Sequence, residues 1–216
     1  MRGAGDQILH VRVPESFATS ALVLGVAALC ASCNGGTSGP DPIPVPGICN
    51  LQPNYVSEVQ LNRWRDFPLR YSLIDSTFSN ENRDLALNRI IEGIHEWSVS
   101  TNARIGSVVQ IRNTDEADLV ILAENLGPRL QARATHATGT PFLSGGRIIF
   151  NQETVVEFSR VDGGGPIATL AAHEMGHHLG IIGHISTQGN LMSTSTLAPG
   201  PTAADINTLL HAYCRP

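Results

Sequence analysis

Residues 170–184 read LAAHEMGHHLGIIGH, and within them His173 and His177 stand four apart with Glu174 between. At about 3.6 residues per turn, a helix projects both imidazoles from nearly one face, so the two rings reach one cation while the carboxylate reaches a water beside it. That donor pattern is the one a hydrolytic zinc site uses. The same stretch anchors the fold. Gly163, Gly164 and Gly165 punctuate the chain before it, Pro166 suits a first helical position, and Gly180 ends it, so the spacing predicts a helix over about 166–179. Ile167, Leu170, Ala171 and Met175 would face its core, with His173 and His177 turned into a cleft.

Upstream, FPLRYSLID (67–75) alternates apolar and polar residues as a strand does. A helix capped by Ser79 or Asn80 should follow, with Leu87, Ile90, Ile91, Ile94 and Trp97 on its buried stripe. SVVQIR (107–112), ADLVILAE (117–124) and GRIIFNQ (146–152) are further strand candidates, rich in Val and Ile. Between the last two, RATHATGTPF (133–142) is polar and broken by glycine. Near the C-terminus Thr202 and Asp205 form a capping box for a helix whose apolar side is Ile206, Leu209, Leu210 and Tyr213. No internal repeat is present.

With 216 residues, a net charge of -5 and 42% hydrophobic composition, the chain has material for one domain around one core. Its 14 basic residues are scattered, which argues against nucleic acid as a partner. Phe17 to Leu29 is uncharged and mostly apolar, too short to span a membrane and of secretory length, so residues 1–33 are expected to be a signal peptide. LCASC (29–33) resembles the lipobox of bacterial lipoproteins, which implies a lipid anchor on Cys33 and an exported, membrane-anchored protein. Ordinary cleavage near the same point and secretion is the alternative. Residues 34–47 are rich in proline and glycine and should form an extended tether, leaving 48–216 as the catalytic domain. Cys49 and Cys214, at its two ends, are expected to pair in an oxidising compartment, worth on the order of 4 to 5 kcal/mol in the chain-entropy account; two separate thiols are the alternative. A monomer is expected.

A catalytic zinc takes three protein ligands and leaves one position for water. The chain has no glutamate after Glu174, which excludes a third ligand of that type on a later helix. Downstream candidates are His178, His184, Asp205, His211 and Cys214. His178 points about 100° away from His177 around the helix, Asp205 and His211 belong to the terminal helix, and Cys214 is better used in the disulfide. His184, just after a glycine-rich turn, is the best placed.

At these residues the chain resembles the metzincin metalloproteases, matrixin-like branch, whose pattern HExxHxxGxxH is followed by a methionine turn. HEMGHHLGIIGH carries the two helix histidines, the glutamate and Gly180, but Gly183 stands where the third histidine is expected and His184 follows one residue late. Gly183 can adopt positive φ and loop out the extra residue. HISTQGNLMS (184–193) resembles the run to the turn, with Met192 in it, and TAADINTLLHAYC (202–214) the final helix. GICNLQP around Cys49 does not resemble the family's cysteine switch. The resemblance implies an α+β zincin fold with a twisted, mostly parallel sheet, two long helices, the zinc helix, the Met turn and a C-terminal helix. It also implies an exported endopeptidase with one catalytic Zn2+ on His173, His177 and His184, Glu174 as general base, and a peptide or protein substrate aligned along an edge strand near Arg133 to Thr138. A catalytically inactive, surface-tethered binding protein that keeps the zinc-binding fold is the alternative. His95, His136, His178 and His211 are expected at the surface or core edge.

Overall fold

The computed structural model describes residues 51–214 except Thr140 and Thr196, all within the compact unit Ser38–Pro216. The expected signal peptide, Cys33, the tether and Cys49 lie outside the described residues. In chain order the elements are β1 (Gln60–Leu61), β2 (Leu69–Leu73), α1 (Arg83–Ser100), β3 (Val108–Gln110), β4 (Leu119–Glu124), β5 (Ala132–Gly139), β6 (Phe142–Asn151), α2 (Gln152–Ser159), α3 (Gly165–Leu179), β7 (Ile181–Ile182) and α4 (Ala203–Tyr213).

The protein is α+β. Its main sheet has the order β3-β2-β4-β6-β5, with β2 parallel to β3 and β4, β4 parallel to β6, and β5 alone antiparallel, at the edge. Apolar runs such as LVILAE suit the middle of such a sheet, because parallel strands are covered on both faces; Leu119, Ile121, Leu122 and Ala123 are all buried. A separate two-stranded piece pairs β1 with β7.

Helices α1 and α3 pack closely. At Gly93 a β-carbon would lie 2.2 Å from the Ala168 carbonyl oxygen, so only glycine allows the approach. Trp97, fully buried, donates its indole N–H to the Ala172 carbonyl at 2.8 Å. This contact governs which residues of α1 are buried: Ala86, Ile90, Gly93, Ile94 and Trp97, with Leu87 and Ile91 only half-buried. Neither Ser79 nor Asn80 caps the helix. It starts at Arg83 after Asn82, which sits in the left-handed region at φ 55, while the Ser79 hydroxyl accepts from the Glu81 amide in the preceding turn.

The RATHATGTPF stretch supplies most of strand β5, at the sheet edge where an edge strand near Arg133 to Thr138 is expected, and its Gly139 pairs with Phe142 beside the turn into β6. Helix α2 had no expectation. Asn151 caps it by accepting from the Glu153 amide at 3.3 Å, while its side-chain NH2 donates to the Gly127 and Leu130 carbonyls. The β-branched residues Thr154, Val155 and Val156 disguise this turn of helix as strand. Helix α3 begins and ends as the sequence implies, with Gly180 at φ 132, and α4 carries the Thr202–Asp205 capping box.

Candidate metal centre

On α3, His173 and His177 are 5% and 8% exposed and line one cleft. Each has a backbone carbonyl behind it. The Leu191 carbonyl takes a hydrogen bond from His173 Nδ1 at 2.6 Å, and the Ile181 carbonyl takes one from His177 Nδ1 at 2.7 Å. A carbonyl can only accept, so both rings carry their proton on Nδ1 and present a bare Nε2.

The displaced histidine joins them. His184 Nε2 lies 3.0 Å from His173 Nε2 and 3.2 Å from His177 Nε2, and all three ligand atoms fall within 4.8 Å of one another. Facing lone pairs at such spacing repel unless a cation or proton lies between them. Nitrogens about 2.0–2.1 Å from a tetrahedral zinc would be roughly 3.3–3.4 Å apart, so the set fits one ion. The extra residue is absorbed at Gly183, which adopts φ 100 in open space, just after Ile181 and Ile182 have paired with β1.

The electrostatics agree with a ligand role. Burial pulls the His177 imidazole down to about 3, with His173 nearby adding to the effect, and burial also lowers His173 and His184. All three are neutral at pH 7, the form that binds metal.

Glu174 is 5% exposed and lines the same cleft. Burial pushes its carboxyl up to about 7, and the backbone amide of Ala134 on β5 partly opposes the shift. The Asn151 amide donates to the Gln131 carbonyl at 2.8 Å, and from there the antiparallel alternation turns the amides and carbonyls of Ala132, Ala134 and His136 away from β6, toward the open edge. The cleft, about 740 Å³, thus has β5 on one side, His173, Glu174 and His177 along its floor, and Gly183, His184 and Ser193–Ser195 opposite. A larger hollow of about 970 Å³ between Trp64, Asp118 and Phe142 holds no ligand cluster. Among the described residues, His173, His177 and His184 are the one group able to hold a metal ion.

The other candidates go elsewhere. His178 is fully buried, donates Nε2–H to the Arg147 carbonyl at 2.9 Å and meets His136 edge-on. His95 contacts the Tyr71 hydroxyl, and Cys214 is disulfide-bonded. Met192 is buried with its sulfur against α3, where a β-carbon on Gly176 would lie 2.5 Å from it.

Asp205 does more than cap α4. Its buried carboxylate also accepts from the amides of Leu191 and Met192 at 2.9 and 3.3 Å, and so holds the segment whose carbonyl orients His173. Sequence spacing does not reveal this, and the carbonyls of Leu191 and Ile181 have no side-chain signature at all.

No protein-family model matches the chain, and no curated protein matches it in sequence. The assignment therefore rests on the geometry itself: three neutral imidazoles able to hold one metal ion, with a buried carboxyl beside them, on the floor of a cleft bordered by an open strand edge.

Proposed function

We propose that this protein is a zinc-dependent endopeptidase of the metzincin type, matrixin-like, and that it is exported and held at a membrane surface or secreted. The observation that carries the reading is the convergence of His173, His177 and His184 beside Glu174. Supporting the fold assignment are the antiparallel edge strand on an otherwise parallel sheet, the two packed helices α1 and α3, and Met192 pressed against α3 beside the ligands. Three imidazole donors whose ligand atoms lie this close, with a fourth position left for water, suit Zn2+.

When bound, Zn2+ supplies Lewis acidity that polarises a carbonyl and eases loss of a proton from water. Glu174 accepts that proton and returns it to the leaving amine, a role suited to a carboxyl raised toward neutral pH by burial. An extended peptide adds to the free edge of β5, where outward amides and carbonyls at Ala132, Ala134 and His136 pair with its backbone. That addition would set the scissile bond across Glu174 and the three imidazoles.

The test is zinc stoichiometry of the purified domain, followed by cleavage of an unstructured protein substrate with and without a chelator. Glu174→Gln should keep its zinc and lose turnover by about 10²- to 10⁴-fold, whereas His184→Ala should lose both zinc and turnover. Full activity in either variant would refute the assignment. Zinc binding without turnover in the wild type would instead identify a binding protein.

A further inference from the structure

Asp205 is completely buried, and its oxygens are divided among three parts of the chain. Oδ2 accepts from the Leu191 amide at 2.9 Å and from the Thr202 amide at 2.8 Å; Oδ1 accepts from the Met192 amide at 3.3 Å and from the hydroxyl of Tyr55. Among the described residues Tyr55 precedes every strand and helix, and it stands 150 residues before Asp205. It is 5% exposed, and its own amide donates to Thr208 Oγ1 at 3.0 Å, so both its main chain and its phenol are fixed on α4. Burial, with the carboxylate beside it, raises the phenol's pKa far above its usual value, so the group remains a donor.

The same segment reaches the second helix ligand. Six residues on, Leu61 pairs with Ile181 and Gln60 with Ile182, and the Asn62 amide donates to the Gly180 carbonyl at 2.9 Å. Ile181 is the residue whose carbonyl orients His177. Residues 55–62 therefore bind to the backbone behind both histidines, once through Asp205 and Leu191 and once through β7.

We infer that Tyr55 is a positioning residue for the metal centre: its hydroxyl, donated to Asp205, fixes the Leu191 carbonyl that holds the His173 ring in its ligating orientation. Without that hydroxyl, Asp205 loses the one side-chain donor that, among the described residues, comes from outside its own turn and the Met192 segment. The carboxylate can then tilt, Leu191 follows through its amide, and the imidazole is less well aimed. Partners behind a metal ligand commonly change affinity by about 10- to 100-fold, and the Tyr55 contact, two steps further out through Asp205 and Leu191, is expected near the lower figure.

This inference rests on the metal reading of the site, and its readout is metal affinity, not peptidase activity. Tyr55→Phe keeps the ring and removes only the hydroxyl. In the full chain, Zn2+ affinity by competition with a chromogenic chelator should fall about tenfold, and the visible spectrum of the Co2+-loaded protein should change. Thr208→Val, which releases the Tyr55 main chain while leaving Asp205 untouched, should move both readouts in the same direction. Val155→Ala, a buried truncation on α2 away from the site, should lower thermal stability with affinity and spectrum unchanged. Wild-type affinity in both Tyr55→Phe and Thr208→Val, or a loss no greater than that of Val155→Ala at matched stability, overturns the link. Wild-type protein that binds no Zn2+ overturns the metal centre and the link together.

Discussion

Glu174 joins burial to chemistry most directly. Its carboxyl is buried beside three neutral imidazoles, and the proton it holds up to about pH 7 in the folded chain leaves near 4.5 when unfolded. Between those values the folded state binds more protons, so stability falls as pH rises from 4.5 to 7, by about 3 kcal/mol in total. Glutamine at this position carries no such cost. Metal-free Glu174→Gln should therefore match the wild type near pH 4.5 and exceed it by that order above pH 7, as read from denaturant midpoints in the presence of chelator. The opposing pH dependence from His177, whose neutral form the fold favours, is common to both proteins and cancels in the comparison. A constant difference across this range would mean that the carboxyl is better solvated than its 5% exposure implies. His184 is a contrasting residue, exposed and brought to its partners by the left-handed turn at Gly183.

Strand β5 and helix α3 together make the cleft, and they relate differently to their neighbours. Helix α3 is locked: Gly93 and Trp97 of α1 press on one side, and Trp64 and Tyr213 donate to the carbonyls of His178 and Leu179 at its C-terminal end, satisfying groups a helix otherwise leaves unpaired. Strand β5 has only β6 beside it, so every second amide makes no ladder bond, and that of Ala134 faces Glu174 instead. Proline is tolerated where an edge amide faces away from the ladder. Ala134→Pro should therefore fold and bind zinc normally, yet lose substrate pairing and the amide that faces Glu174. The expected result is peptide turnover reduced by tenfold or more, about 1.4 kcal/mol, with unchanged zinc content; unimpaired turnover would place the substrate elsewhere.

The whole domain is closed by contacts between its ends. Tyr55 and Trp64 sit against α4 and its flanks, and Cys214, just past that helix, is disulfide-bonded, with Cys49 the partner the sequence offers. Reduction should lower the melting temperature by an amount equivalent to as much as 4 to 5 kcal/mol. Because α4 also carries Asp205, zinc affinity should weaken in parallel; an unchanged melting temperature would argue that the closed loop is short. What could be read directly from the chain was whatever depends on neighbours in sequence. The 3.6-residue period brings His173 and His177 together, glycine and Pro166 bound their helix, and Thr202 meets Asp205 within one turn. The continuous apolar runs became the parallel strands for the same reason. Helix α2 escaped because its Thr and Val residues favour strand locally, and packing under the Asn151 cap overrode that preference. The nearness of His184 to the pair, the open edge of β5 beside Glu174, and the line from Tyr55 through Asp205 and Leu191 to His173 depend on segments as much as 150 residues apart and on backbone carbonyls common to every residue type. Spacing encodes only contacts within a few turns, so these were decided by how the chain closes on itself.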